Sequence, residues 1–468
     1  MSSNSMTLRK RILSILFWSV VAAAFIGPGT VTTATKAGVY YNFQLLWALV
    51  FSTFATLLLQ EASARLTIRS QMNLGEAISK KFENTSGRTI ILFVIIIAIV
   101  LGCAAYEAGN ILGSVAGLTL IFDIPYYYFV AGIGILAIFV FALNSVHTIA
   151  KVMGFIVFLM GISFFFTSIS LNPDWGEVLK GSVVPIIPEG TGSTLLVLGL
   201  VGTTVIPYDL FLGSGALDKK QTINEMRFGL AFAVILGGII SMSIMGIGNA
   251  VTAGMTDIEK THFIANLNFD SEGYNVLKEF LQNKIGMYAV YIFGFGMFAA
   301  GFSSAVTSPL ASAITARSLF SNKHNEEKWK PNKLYFKLVI AGVVAVGLTF
   351  GFLHIQPIPA IIIAQAFNGL ILPLIAVFLI SVVNDPDIIG EKHLNGMVSN
   401  IMMSIVLWVT MILGFTNITK SVAKVIGYNL EANDTVLLIP VIIVSFILSA
   451  VLLFFIYKRR LKLVTQRL

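Results

Sequence analysis

Cysteine is nearly absent from this 468-residue chain: Cys103 stands alone, which excludes a disulfide framework and any cysteine-based metal centre. Histidine is scarce too, with five residues, each near a loop or the end of an apolar run, so no histidine cluster is available. Charged residues make up only 12%, too few to cover the surface of a water-soluble domain of this length. Hydrophobic residues reach 56% and the mean hydropathy is +0.86, so a bilayer is the expected solvent. The net charge of +8 does not point to nucleic acid, because the basic residues are spread through loops rather than gathered on a soluble face.

A membrane-crossing helix needs about 20 mostly apolar residues. Runs of that kind recur at 12–39, 44–64, 89–118, 125–143, 149–170, 193–216, 228–254, 285–316, 338–354, 357–383, 397–416 and 434–457, which predicts an all-α integral membrane protein of twelve spans. The period-two alternation of barrel strands is missing from stretches such as 90–100. The first run follows Arg9, Lys10 and Arg11 as a signal peptide would, yet it has no small-residue cleavage site and reads as a retained span. Of the 31 Lys and Arg residues, 24 fall in alternate loops beginning with the N-terminus and six in the opposite loops, with Lys36 inside the first run. That bias predicts a multi-pass cell (inner) membrane protein with both termini in the cytoplasm.

Two runs carry residues that a membrane helix tolerates only for a reason. The first contains Gly27-Pro28-Gly29-Thr30 and the sixth Gly202-Thr203-Thr204-Val205-Ile206-Pro207-Tyr208-Asp209. Proline removes a backbone donor and glycine removes steric protection, so both helices are expected to open near mid-membrane. The two runs start five spans apart and therefore enter from opposite sides. Matched breaks of this kind predict two inverted five-helix units, 12–170 and 193–383, with 397–457 as two extra helices, flanked by a cytoplasmic segment 1–11 and a basic tail 458–468. Such an architecture suits a secondary transporter with its site between the breaks. Two ordinary proline kinks would be the plainer alternative.

At these residues the chain resembles the natural-resistance-associated macrophage protein (NRAMP) family of divalent-metal transporters, whose fold is the inverted-repeat leucine-transporter fold. The resemblance rests on Gln44-Leu45-Leu46-Trp47, on the segment from Leu58-Leu59-Gln60 to Ala64-Arg65-Leu66, and on Leu74-Gly75-Glu76-Ala77. It continues through Lys151-Val152-Met153-Gly154, Pro173-Asp174-Trp175-Gly176, the sixth-run break, Ala299-Ala300-Gly301 with Ser303-Ser304, and Gln365 with Leu372-Pro373. The family's metal site implies Asp-Pro-Gly-Asn in the first span, Met-Pro-His in the sixth and a Gln in the tenth. Here Gly27 stands for the aspartate, Thr30 for the asparagine, Ile206 for the methionine and Tyr208 for the histidine, while Gln365 matches. The acidic pair of the third span corresponds to Glu107 and Asn110.

A dehydrated divalent ion deep in a membrane needs oxygen or softer ligands and a compensating negative charge. Gly27 supplies none, and Ile206 has no sulfur. An opened helix with Gly27 and Gly29 instead leaves room for backbone N–H groups to meet a carboxylate. Thr30, Thr203, Thr204, Tyr208, Gln365 and Asn368 add uncharged hydrogen-bonding groups. The expected cargo is therefore a small polar or carboxylate-bearing solute coupled to H⁺ or Na⁺. The alternatives are a divalent cation at an altered site and a transport-inactive sensor or scaffold. The hydroxyls could equally cap their own broken backbone.

Asp209 is the candidate for coupling, unless it faces an open vestibule. Glu107 and Lys36 complete the charged set, with Lys36 either pairing Glu107 or snorkelling outward. Ser303, Ser304 and Thr307 are candidates for a sodium site by likeness to the wider superfold. No catalytic constellation and no lysine-bearing phosphate loop is present, so neither an enzyme activity nor a cofactor is expected.

Overall fold

The structure is a computed structural model that describes residues 8–188, 192–267, 269–321, 324–353, 355–425 and 434–465. In chain order the helices are α1 (Leu8–Phe25), α2 (Pro28–Tyr41), α3 (Leu46–Ser70), α4 (Leu74–Lys81), α5 (Arg88–Ile121), α6 (Tyr126–Phe141) and α7 (Val146–Ser170). They continue as α8 (Trp175–Val183), α9 (Ser193–Thr204), α10 (Pro207–Ala216), α11 (Ile223–Thr252), α12 (Asp257–Asn266), α13 (Phe269–Lys284) and α14 (Met287–Phe320). The last five are α15 (Leu334–Phe352), α16 (Pro357–Val383), α17 (Pro386–Ile389), α18 (Met397–Val425) and α19 (Asp434–Thr465). No strand occurs among the described residues, as the sequence predicts.

Both expected breaks are present and share one local cause. Gly27 and Ile206 are extended (φ −104°, ψ −176° and φ −107°, ψ 126°), and each is followed by a proline at the first helical position. Proline there needs no donor and disfavours a helical residue before it, so one helix ends and the next begins. The chain turns by 65° between the segments 10–25 and 28–41, whereas α9 and α10 together count as one 24-residue span.

Among the described residues nine helices are long and apolar enough to cross a bilayer by length and composition, and ten if the bent pair α1–α2 is one span. Each of the twelve expected runs lies on a helix or a broken helix pair, but α6 falls short of that measure. α6 has 16 residues, which at 1.5 Å each reaches ~24 Å of a hydrocarbon core of about 30 Å. The connection between α11 and α14 holds α12 and α13. Capping boxes start α4, α11 and α12, where Asn73, Thr222 and Thr256 pair reciprocally with Glu76, Glu225 and Glu259.

The broken helices are held at the centre by close backbone approaches. α2 packs on α11 where Gly38 meets Gly248; a Cβ on either glycine would run into the carbonyl of Met245 or Thr35. α5 and α14, each 34 residues long, touch along Gly117, Gly294 and Gly301, with a Gly117 Cβ placed 2.6 Å from the Gly294 carbonyl oxygen. Small residues let membrane helices approach until backbone meets backbone, which supplies packing where lipid supplies no hydrophobic drive. Helices α5 and α14 thereby become the rigid walls beside the breaks.

Candidate functional site

Breaking α1 frees the carbonyls of its last turn, and each finds a hydroxyl. Ala23 O accepts from Ser304 at 3.0 Å and from Ser303 at 3.4 Å; Ala24 O accepts from Tyr208 at 3.2 Å; Phe25 O accepts from Thr30 at 2.6 Å. At the second break Thr203 O accepts from Thr30 at 3.4 Å and Thr204 O from Thr56 at 3.1 Å. Tyr208 and Thr30 thus bond across from one break to the other, so the two opened segments face each other. In an apolar interior an unpaired carbonyl is costly, and these hydroxyls remove that cost.

Thr203 and Thr204 donate to Leu200 O at 3.1 and 3.0 Å within their own helix. The hydroxyl protons of Thr30, Thr203, Thr204 and Tyr208 are therefore spent on backbone. A hydroxyl that donates to a carbonyl keeps its lone pairs. What it can still offer is an acceptor, which suits a cation better than the carboxylate anticipated from the sequence.

The room expected beside the glycines is already taken. A Cβ on Gly27 would sit 2.8 Å from Ser304 Oγ and 3.6 Å from Asn110 Oδ1, and one on Gly29 would sit 2.8 Å from Gln365 Nε2. Gln365 lies against the start of α2, donates from Nε2 to Thr33 at 3.0 Å and accepts from the same hydroxyl at 3.4 Å. Ile206 is buried among apolar residues and contributes no polar atom. The Asn368 side chain lies outside the described residues. Ser303, Ser304 and Thr307 lie on α14, but Ser304 donates to Ala23 O, Ser303 lies 3.1 Å from Ala300 O and 3.4 Å from Ala23 O, and Thr307 donates to Ser304 O at 3.4 Å.

The charged residues divide sharply. Lys36 is half-buried with its ammonium 5.8 Å from the Tyr40 ring centroid, one turn outward, and it does not pair with Glu107. Glu107 is fully buried on α5; its Oε2 accepts from Asn110 at 3.5 Å and its Oε1 has no partner. Asp209, in the first turn of α10, is 1% exposed, and neither carboxylate oxygen has a hydrogen-bond partner. It faces no open vestibule.

Gln60 of α3, buried and with both amide atoms unpartnered, lies beside Asp209. Sequence reasoning passed over Gln60 as a site residue; the available signal was an amide directly after the apolar Leu57-Leu58-Leu59 stretch of a membrane run. Among the described residues no group of three or more His, Cys, Asp or Glu gathers as a metal-binding cluster.

Comparison with known proteins places this arrangement. The family model described as natural resistance-associated macrophage protein-like matches residues 19–420. The chain belongs to the Nramp family. Among its relatives, the divalent metal cation transporter MntH of Bacillus subtilis is 30% identical over 305 residues, covering 63% of this chain and 68% of that protein. MntH of Klebsiella pneumoniae strain 342 is 26% identical over 322 residues, covering 67% of this chain and 74% of the relative.

A manganese transporter of Eremococcus coleocola shares the fold with a TM-score of 0.71 at 20% identity, over 99% of this chain and 97% of that one. The Nramp assignment anticipated from the sequence therefore holds over most of the chain. The organic solute anticipated as cargo finds no support in it, since the curated relatives are divalent metal transporters.

Proposed function

We propose that this Nramp-family protein is a secondary-active transporter of a divalent cation, working by alternating access through a twelve-span bundle of two inverted five-helix units. The observation that carries the reading is the pair of buried carboxylates, Glu107 and Asp209, with three partnerless oxygens beside the opened helices. Carboxylates sealed in an apolar bundle call for positive charge, which a bound cation supplies. A carboxylate-bearing solute would instead add further negative charge to the bundle interior.

The ligand set is oxygen only: Glu107, the Gln365 amide, backbone carbonyls at the breaks, and hydroxyl lone pairs. With Ile206 in place of a thioether and Tyr208 in place of an imidazole, this set favours a hard ion of the magnesium or manganese class that keeps part of its water. Asp209, with Gln60 beside it, takes the role of coupling site for H⁺ or Na⁺. The bend between α1 and α2 is the hinge about which access alternates. The basic loops face the cytoplasm, and with them both termini.

Flux into proteoliposomes tests the reading, with Mg²⁺ and Mn²⁺ reported by an internal dye. Saturable uptake is expected, falling by about tenfold or more in Glu107→Gln and in Asp209→Asn. If labelled amino or organic acids cross while neither metal does, the cargo is organic. If nothing crosses, the sensor reading takes its place.

A further inference from the structure

At the end of the bundle where the basic loops gather, α3, α11, α18 and the turn at Glu391–His393 enclose a groove of about 650 Å³, none of whose lining residues lies at the helix breaks. One wall is apolar, built from Phe54, Leu57 and Leu58 of α3 and from Val398 and Met402 of α18. The opposite rim is basic. Arg65, Arg69, Arg227 and Lys392 line it against a single carboxylate, Glu61.

Glu61 accepts from Arg65 Nε at 3.2 Å and from Arg227 Nη2 at 2.7 Å, and Arg65 also donates to His393 O at 3.2 Å and to the Asn395 side chain. That network fixes the positions of two guanidiniums while balancing only one positive charge. Arg69, one turn beyond Arg65, and Lys392 across the mouth are exposed, and neither makes an ion pair among the described residues. The apolar wall does not stop inside the groove. It runs on along the outer faces of both helices through Val50 on α3 and Ile401 and Ile405 on α18, all exposed where hydrocarbon tails would lie.

We propose that this groove holds an anionic phospholipid, its phosphate between Arg69, Arg227 and Lys392 and an acyl chain along Phe54, Leu58, Val398 and Met402. A soluble anion would use the rim and leave the apolar wall wet, and a neutral lipid would leave the surplus positive charge unmatched. A molecule with one anionic end and a long apolar chain satisfies both walls. Basic pockets between membrane helices select anionic headgroups by this combination. The site is independent of the transported ion, because none of its residues lies at the helix breaks. An occupant would join α3 to α11 and α18.

The test uses the full chain, delipidated in detergent and offered equimolar phosphatidylglycerol and phosphatidylcholine, with retained lipid read by native mass spectrometry. Wild-type protein is expected to retain phosphatidylglycerol over phosphatidylcholine by about tenfold, and the preference should weaken as salt rises. The variant Arg69→Gln with Lys392→Gln should retain the two lipids equally, while Arg69→Lys with Lys392→Arg keeps the preference. Melting temperatures of the lipid-free variants check that both are folded.

No preference in the wild type, or an undiminished one in the neutralised variant, would overturn the proposal. Displacement of bound phosphatidylglycerol by an equal concentration of glycerol 3-phosphate would also overturn it, because a soluble phosphate would then suffice. That competition is run on the wild type and needs no variant to fold.

Discussion

Ser304 fills the place that an acidic side chain at position 27 would need: its hydroxyl oxygen lies 2.8 Å from where a Gly27 Cβ would stand, and it donates to Ala23 O at 3.0 Å. The glycine and the serine form one unit, in which the missing side chain makes room for the hydroxyl that caps the broken helix. No carboxylate stands at position 27; the buried carboxylates are Glu107 on α5 and Asp209 on α10.

This relationship makes Gly27→Asp a two-part experiment. Alone, the substitution pushes Ser304 off the Ala23 carbonyl and is expected to cost about 1–3 kcal/mol, through overpacking and a lost buried hydrogen bond. Combined with Ser304→Ala, which clears the space, it should recover part of that loss and bind Mn²⁺ more tightly than the wild type. Thermal unfolding reads the first effect and calorimetry the second. Equal stability of the wild type and Gly27→Asp would show that Ser304 does not hold the break.

A second pair lies at the basic end, where Lys81 Nζ meets Asp385 Oδ2 at 2.7 Å with both side chains nearly buried and also donates to Ser381 O at 2.9 Å. The pair ties α4 to the end of α16. Removing one partner strands a charge, so Asp385→Leu is expected to cost about 3–5 kcal/mol, whereas Lys81→Met with Asp385→Leu should recover part of that loss, the cap of Asp385 on Asp387 N–H staying lost. Denaturation of the two variants side by side checks it. A double variant no better than the single one would mean that the pair is not energetically coupled.

The same lysine predicts a pH dependence. Burial lowers the Lys81 amine below its ordinary 10.5, and the hydrogen bond and attraction of Asp385 only partly oppose that. Between the lowered value and 10.5 the unfolded chain holds a proton that the folded chain has released. Stability from this residue therefore rises with pH through that window and is level below it. Melting temperatures from neutral to alkaline pH should show this contribution in the wild type and lack it in Lys81→Met with Asp385→Leu. An identical slope in both would remove Lys81 as its source.

Local chemistry explains why some of the site was legible without a structure. Pro28 and Pro207 end one helix and start another through bonds to their own neighbours, so both breaks could be read from a few residues. The Glu61–Arg65 pair is four residues apart on one helix and equally readable. Gln60 was not, because an amide in an apolar run carries no sign of which residue it meets; its neighbour Asp209 lies 149 positions away. The commitment of Thr30 and Tyr208 to carbonyls escaped for a related reason. A hydroxyl's free capacity depends on which backbone groups surround it.

Composition and hydropathy by themselves determined that this chain lives in a bilayer as helices, because some twenty apolar residues in a row have few other stable fates. The paired prolines determined where two of those helices open. Tertiary structure alone decided what fills the openings, Ser304 against Gly27 and Gln365 against Gly29, and left three oxygens of the buried Glu107 and Asp209 carboxylates without partners. Those contacts join residues tens to hundreds of positions apart, and long-range packing fixes whether a polar atom is already satisfied or still waits for a cation.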